Sequence, residues 1–212
     1  EIRAAGKPVE IIRIQELGGT SRAIQAGIDA AQRLVQEISG LQRETVDISE
    51  VVMAIKCGAS DTTSGMASNC VIGYVADKLV DLGATVVFGE TTEFLGGEHI
   101  LAKRAVGGEN GPIGQKIYEI VDRMEKRAKS VGEDMRGGQP TPGNIAGGLS
   151  SIEEKSLGAI VKSGHRPIQG VLEYCDRVDG QKGLWIKDAP GREPEILTGM
   201  AATGAQFMMF ST

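Results

Sequence analysis

Hydrophobic positions along the first half of the chain predict alternating strands and helices. Apolar runs at residues 9–14, 51–55 and 84–88 are typical of short strands, and the second is apolar on both faces, as in a buried parallel strand. Between these runs, apolar residues recur every three or four positions over residues 24–38 and 64–82, which predicts two amphipathic helices. Strands alternating with helices favour an α/β fold with a parallel, Rossmann-like sheet flanked by helices.

The second half shows a more helical and loop-rich pattern. Helices are predicted at 98–105, 113–128, 151–164 and 196–204, and strands at 184–186 and 206–211. Residues 132–148 hold six glycines and two prolines, a long loop of the kind that is usually functional or disordered. We therefore divide the chain into a parallel α/β domain, residues 1–131, and a second part, residues 132–212, with this loop and the start of a C-terminal α/β domain. The apolar run near residue 212 suggests an internal piece of a longer protein.

Composition and charge restrict the class of protein. The chain is 41% hydrophobic and 24% charged, which is ordinary globular composition, and it has thirty glycines but only 4% aromatic residues. A formal net charge of −5 argues against a nucleic-acid partner, and no apolar run is long enough to cross a membrane. Three cysteines without a CxxC pair favour a reduced, cytoplasmic protein. We expect a homo-oligomer, as for many metabolic enzymes.

Two loops carry the candidate chemistry. They follow the strands at 51–55 and 84–88, and ligands of parallel α/β sheets bind at the carboxyl ends of the strands. Carboxylates, an imidazole and a thiol that lie close together can bind a divalent metal or transfer protons. The candidate residues of these loops are Cys57, Ser60, Asp61, Ser64, Glu90, Thr91, Glu93, Glu98 and His99.

Each candidate also has a structural explanation. Cys57 at a strand end fits a small buried side chain, and Asp61, like Ser60, fits a helix cap. Glu98 stands where a helix N-terminus favours negative charge, which leaves His99 as the sharper candidate. The remaining residues are interpreted as structural: Cys70 and Cys175 as packing, His165 as an exposed cap, and Lys155 and Lys162 as solvated helix charges, unless the glycine-rich loop places Lys155 over an anion.

Several common motifs are absent from the sequence. There is no G-x-G-x-x-G or Walker lysine motif for a nucleotide, no G-x-S-x-G for a hydrolase nucleophile and no H-E-x-x-H for zinc. The cysteine separations match no iron–sulfur spacing that we can defend.

The loops taken together resemble a known family. The matching segments are Cys57–Asp61 with Ser64–Gly65, Gly89–Glu93 with Glu98–His99, Pro140–Asn144, and Glu153–Gly158. Over nearly the whole chain, the sequence resembles the altronate/galactarate dehydratases, which are sugar-acid hydro-lyases. The resemblance implies removal of water from a sugar acid to give a 2-keto-3-deoxy acid, with divalent iron, manganese or possibly magnesium as cofactor. It also implies that this chain is a central fragment of such a protein.

This resemblance, joined to the chemistry of the loops, assigns roles to the candidates. His99, Glu98, Asp61 and Cys57 are the expected catalytic residues, and Glu90, Glu98 and His99 the expected metal ligands. We expect all of them to face one cavity. Two alternatives remain open: a lyase similar to the sulfolactate sulfo-lyase large subunit, which releases sulfite, and a non-catalytic sugar-acid-binding or interface module. The expected substrate-binding residues are Ser60, Ser64, Thr91, Gly143, Asn144 and Lys155.

Overall fold

Five parallel strands form one sheet in the computed structural model, which describes residues 3–212. The strands are β1 (Val52–Cys57), β2 (Thr85–Phe88), β3 (Ile168–Leu172), β4 (Gly183–Lys187) and β5 (Phe207–Ser211). Their order in the sheet is β3-β4-β2-β1-β5, so β1 and β2 are neighbours near the centre. This confirms the expected α/β fold with a parallel sheet.

The helices mostly follow the predicted periodicity. They are α1 (Thr20–Ser39), α2 (Asn69–Asp81), α3 (Glu98–Arg104), α4 (Pro112–Ser130), α5 (Met135–Gly138), α6 (Pro142–Ala146), α7 (Ile152–Ile160) and α8 (Glu193–Thr203). A π-helical turn, Ser64–Ser68, leads into α2, and a 3₁₀ turn, Val161–Ser163, continues α7. The expected loop at 132–148 contains the two short helices α5 and α6. No helix of the described residues is long and apolar enough to span a membrane.

Alternating side chains of the strands pack into two apolar layers, one on each face of the sheet. On one face, Met53, Ile55, Val86 and Phe88 belong to a core cluster to which helices α2, α3, α4 and α7 also contribute. On the other face, Ala54 and Val87 join Trp185 and two residues of α8, Ile196 and Met200. Burial on both faces explains why the sequence of β1 begins with a continuous apolar run.

The chain divides into two compact units at residues 46 and 47. The boundary expected after residue 131 does not coincide with this division, because strands from both sides of that position hydrogen-bond in one sheet. Residues 9–14 of the first unit form no strand, which corrects the first predicted element. A lone extended segment without a neighbouring strand has no ladder for its backbone groups.

Helix α1 of the first unit forms as predicted, but it buries a different face. Its buried residues are Ala23 and Ala30, whereas Ile24 and Val35 of the predicted apolar face are exposed. The face that carries small residues allows close approach, and a Cβ atom on Gly27 would lie 3.7 Å from Cδ1 of Ile12.

Candidate active site at the strand ends

A cavity of about 350 Å³ opens at the carboxyl ends of β1 and β2. The ends of these two strands supply its floor, since neighbouring parallel strands end at the same edge of a sheet. The glycine-rich segment and α7 supply the facing wall. The residues that line it are Lys56, Cys57, Gly58, Ala59, Ser60, Glu90, Thr92, Glu93, Met135, Gln139, Thr141, Asn144, Ile152, Lys155, Gly191 and Glu193.

Glu90 is held in the floor of the cavity by contacts to both of its carboxylate oxygens. Its Oε1 lies 2.6 Å from Nζ of Lys56, and its Oε2 accepts hydrogen bonds from the Cys57 amide at 2.7 Å and from Lys162 Nζ at 2.9 Å. Its backbone has a φ of 69°, a left-handed conformation that non-glycine residues adopt at a cost in energy. Such conformations cluster at functional sites, where surrounding contacts maintain them.

Lys162 connects the two acidic residues of the floor. It is fully buried, and its Nζ lies 2.5 Å from Oε2 of Glu93 as well as 2.9 Å from Oε2 of Glu90. Lys56, Glu90, Lys162 and Glu93, hereafter the buried quartet, therefore alternate in charge and sum to zero. Burial of these groups is tolerable only because each charge has a partner of opposite sign.

The pKa values of the two glutamates of the quartet are shifted in opposite directions. Burial raises the pKa of Glu90, and the Lys162 ammonium opposes that rise. Burial acts in the same direction on Glu93, but the Lys162 charge and hydrogen bond outweigh it and lower the pKa of Glu93. For Lys162 itself, burial lowers the pKa, yet the Glu93 and Glu90 carboxylates outweigh burial and raise it. Two carboxyl groups whose pKa values are driven apart are typical of acid–base sites.

Cys57 supplies a protonated thiol next to these carboxylates. Burial, followed by the negative charge of Glu93, raises the pKa of the thiol to about 11. Its Sγ lies 3.4 Å from the Ser60 hydroxyl oxygen, and it lines the cavity together with Glu93. At neutral pH this cysteine is therefore a proton donor and not a thiolate nucleophile.

Lys155 lies on the facing wall and, unlike the lysines of the floor, donates its hydrogen bonds to neutral groups. Its Nζ donates to Oε1 of Gln139 at 2.8 Å and to Oδ1 of Asn144 at 3.0 Å, both neutral acceptors. Asn144 in turn donates to the Ser60 carbonyl at 2.9 Å, which ties this wall to the loop after β1. Thr141 caps α6 and fixes Asn144 through a reciprocal capping box. Among the described residues, no carboxylate forms an ion pair with Lys155, so its charge is available to an anion.

Five of the expected site residues line this cavity: Cys57, Ser60, Glu90, Asn144 and Lys155. Asp61 and Ser64 line a neighbouring cavity of about 330 Å³, which shares Ser60 and Lys155 with the first. Asp61 accepts hydrogen bonds from the Ser64 amide at 2.6 Å and from the Thr63 hydroxyl at 2.8 Å, as a helix cap does. The Ser64 amide and the Thr63 hydroxyl lower the pKa of Asp61. The capping explanation thus accounts for its contacts.

The structure separates four expected site residues from the cavity. His99 is exposed and Glu98 half-buried at the start of α3, because this helix turns Leu101 and Ala102 into the core. Buried Thr91 instead donates to Asp188 Oδ1 at 2.6 Å. Gly143 is exposed within α6. The expectation that Glu98 and His99 face one cavity with Cys57 is therefore corrected.

The donor atoms do not fit a divalent metal at the expected ligands. Within residues 3–212, no group of three or more His, Cys, Asp or Glu side chains is placed to hold a metal ion. Glu90 already binds two ammonium groups, and neither Glu98 nor His99 joins it in the cavity. Oε2 of Glu98 is buried without a hydrogen-bond partner, but as a single carboxylate oxygen it makes no metal site.

Sequence reasoning missed the lysines of the floor. Lys162 was interpreted as a solvated helix charge, which is wrong, since its side chain is 0% exposed. Lys56 went unnoticed, although one charged residue at the end of an apolar strand is a signal for a functional site. Glu193 at the start of α8 was also missed; its Oε1 lies 3.6 Å from Lys56 Nζ.

Comparison with known proteins finds a family and several relatives to which this chain is similar. The family model described as D-galactarate/altronate dehydratase, C-terminal, matches residues 48–212. The (2R)-sulfolactate sulfo-lyase subunit beta of Chromohalobacter salexigens is 42% identical over 212 residues, all of this chain and 54% of the relative. An altronate dehydratase of Bacillus subtilis is 33% identical over 205 residues, 95% of this chain and 39% of the relative.

A galactarate dehydratase (L-threo-forming) of Escherichia coli is 35% identical over 194 residues, 92% of this chain and 36% of the relative. This chain thus spans between 36% and 54% of the length of these three relatives.

Proposed function

Because this chain belongs to the D-galactarate/altronate dehydratase family, we propose that it carries an elimination site for a hydroxylated carboxylic acid. The proposed reaction removes water from a sugar acid such as altronate or galactarate and gives a 2-keto-3-deoxy acid. One observation carries the proposal. Lys155, whose ammonium group pairs with no carboxylate of residues 3–212, lines the same cavity as two glutamates whose pKa values are shifted in opposite directions.

Lys155 is proposed to bind the carboxylate of the substrate. An ammonium group held by two neutral amide oxygens keeps its full positive charge for an anion. Ser60 lines the same cavity, and its hydroxyl can hydrogen-bond a substrate hydroxyl group. This part of the site therefore orients the acid with its carboxyl end towards α7.

Glu93 and Cys57 are proposed to transfer the protons. The lowered pKa keeps Glu93 ionised near neutral pH, so it can take the proton from the carbon next to the substrate carboxylate. The Cys57 thiol, which is protonated, can give a proton to the departing hydroxide. The proton on Glu93 then returns to the Cys57 sulfur, which lines the same cavity, and this restores both groups without a net change in charge.

Positive charge in the floor of the site is proposed to stabilise the intermediate. Loss of the α-proton makes an enediolate with two negative charges, and fixed charges aimed at it lower the barrier. Lys56 lines the cavity, and its side chain is only 3% exposed, which limits competition from water.

The divalent cofactor implied by the family remains a prediction for the whole protein. The described residues do not fit such an ion at Glu90, and no step above depends on one. Cytoplasmic location and a homo-oligomeric state are likewise proposals. The subunit designation of the Chromohalobacter relative is compatible with an assembly of several chains.

One alternative is favoured by a specific observation. The sulfolactate sulfo-lyase subunit aligns with this chain over its full length at 42% identity. The same proton abstraction would then expel sulfite, which requires no protonation on leaving. In that case Cys57 would be dispensable for the leaving-group step, whereas Lys155 and Glu93 would keep their roles.

The test is an assay of the full-length protein with altronate, galactarate and sulfolactate. Formation of a 2-keto acid and release of sulfite are followed in parallel, with and without added Mn²⁺. A 2-keto-3-deoxy product without sulfite supports the dehydratase, and sulfite release moves the protein to the alternative. Binding of a sugar acid without any product would contradict both and leave the chain a binding module.

A further inference from the structure

The buried quartet resembles a metal site in which two carboxylates share one metal ion. Here a lysine ammonium group lies where that metal ion would bind. Lys162 Nζ lies 2.9 Å from Glu90 Oε2 and 2.5 Å from Glu93 Oε2, so one ammonium group joins two carboxylates. The Cys57 thiol is a third potential ligand on the same floor. Two carboxylates and a sulfur form a donor set that divalent metals bind when no other cation neutralises it.

Both carboxylate oxygens of Glu90, and Oε2 of Glu93, are already engaged. Glu90 Oε1 contacts Lys56 Nζ, and Glu90 Oε2 accepts from both Lys162 and the Cys57 amide. A carboxylate oxygen has about two lone-pair sites, so Oε2 is saturated. A divalent ion at Glu90 would also lie beside two ammonium groups, and the repulsion between cations is strong in a buried site.

We infer that Lys56 and Lys162 take the place of a divalent metal at Glu90 and Glu93, and that no metal binds this part of the protein. The lysines supply the positive charge that neutralises the two glutamates, in an arrangement that needs no ion from solution. Any metal that the whole protein binds has its ligands elsewhere. This inference concerns the resting charge of the site and does not rest on the proposed reaction.

The test is Mn²⁺ binding to the full-length protein after treatment with a chelator, measured by electron paramagnetic resonance without substrate. Replacing a true ligand weakens a metal site by at least about tenfold. We expect Glu90→Gln to bind as many Mn²⁺ ions as the wild type, with an unchanged Kd. Loss of one Mn²⁺ per chain, or a tenfold weaker Kd, in this variant overturns the inference.

A second variant makes the opposite prediction. Lys162→Met removes the bridging ammonium group and leaves Glu90, Glu93 and Cys57 together, so it should gain one Mn²⁺ per chain. Lys155→Met is the matched control, because Lys155 lines the same cavity but pairs with no carboxylate in the part of the chain that the structure describes, and it should gain none. A folded Lys162→Met protein that gains no ion contradicts the inference.

A measurement without any variant covers the case in which these buried substitutions prevent folding. Crystals of the wild-type full-length protein soaked in Mn²⁺ should show no anomalous-scattering peak within coordination distance of Glu90 or Glu93. A peak within coordination distance of either carboxylate would show that a metal ion displaces the lysine ammonium groups, and it would overturn the inference. Because no substrate is present, neither result depends on whether the protein is a dehydratase.

Discussion

Lys56 and Glu90 form a buried ion pair, with Nζ and Oε1 2.6 Å apart and side chains only 3% and 2% exposed. The pair joins the end of β1 to the loop that follows β2. These two strands are neighbours in the sheet. Two segments separated by more than thirty positions in the sequence are thereby fixed in one site. Glu90 also accepts a hydrogen bond, at 2.7 Å, from the amide of Cys57, the residue after Lys56.

Replacing Lys155 should weaken substrate binding without unfolding the protein. In Lys155→Met, the substrate carboxylate loses an ammonium group that pairs with no carboxylate of the described residues, so we expect KM to rise about tenfold to a hundredfold, about 1.5–3 kcal/mol for a charged hydrogen bond. Steady-state kinetics measure the effect. Lys103→Met, at an exposed lysine of α3, is the control and should leave KM unchanged. An unchanged KM in Lys155→Met would remove Lys155 from substrate binding.

Cys57 should react slowly with alkylating reagents at neutral pH. Burial raises the pKa of its thiol to about 11, and only the thiolate is nucleophilic. We expect iodoacetamide to modify the exposed Cys70 and Cys175 first, and the reaction at Cys57 to accelerate as pH rises towards 11. Peptide mapping by mass spectrometry separates the three rates. Fast modification of Cys57 at pH 7 in the folded protein would contradict a raised pKa.

Loss of Lys162 should destabilise the fold strongly. Lys162→Met leaves Glu93 without its ion pair and Glu90 with only Lys56, and an unpaired buried charge costs about 3–5 kcal/mol. Denaturant unfolding of Lys162→Met, Glu93→Gln and the double variant gives the coupling between the two residues. We expect the free energy of unfolding to fall less in the double variant than the sum of its decreases in the two single variants. Additive losses would show that the pair does not act as a unit.

The matched control for this series is Lys129→Met. Lys129 pairs with Glu125 on α4 at 3.1 Å, but its side chain is 61% exposed. An exposed ion pair contributes little to stability, so we expect a change below about 1 kcal/mol. A similar loss in both lysine variants would mean that burial is not the cause.

Asp77 should make the stability of the fold depend on pH in the acidic range. Burial raises its pKa, but hydrogen bonds from the His165 and Arg166 amides and the His165 ring outweigh burial, so the pKa is lowered. A lowered carboxyl pKa stabilises the fold above the unfolded value of about 3.9, and this stability is lost as pH falls through the lower folded value. Asp77→Asn should therefore be less stable at pH 7 by about 2 kcal/mol, the size of a charged hydrogen bond.

The difference between wild type and Asp77→Asn should shrink as pH falls below about 3.9. Urea unfolding at several pH values measures it. Asp122→Asn serves as control, since the Asp122 side chain is 61% exposed and pairs only with Lys126 on the same helix. A difference between Asp77→Asn and wild type that does not change with pH would contradict the lowered pKa.

The periodic elements of the fold were predictable from the sequence, and the exceptions have local causes. Strand β3 escaped prediction because Gly170 interrupts its apolar pattern. A Cβ atom at Gly170 would lie 2.3 Å from the ring of Trp185, so the glycine permits close packing of β3 on β4. Helix α1 was predicted with the wrong buried face because periodicity identifies an apolar stripe but not the surface that covers it.

The candidate site was half predictable for a related reason. Ser60, Asn144 and Lys155 follow from the segments that match the family, and the structure brings them to one cavity. His99 could not be placed because the phase of a short helix depends on the core that packs against it. Lys162 could not be predicted as buried, since its partners Glu90 and Glu93 come from a loop about seventy residues earlier.

The position of β5 has a consequence for how the protein reaches its native state. β1 lies between β2 and β5, and its pairing with β5 joins Met53 to Phe207, across about 150 intervening residues. Contacts between such distant segments form slowly, because closing a long loop costs chain entropy before any contact rewards it. During that interval one edge of β1 has no partner, and an apolar strand with an open edge is prone to aggregate. Yield on refolding should therefore depend on protein concentration more steeply than the final stability would suggest.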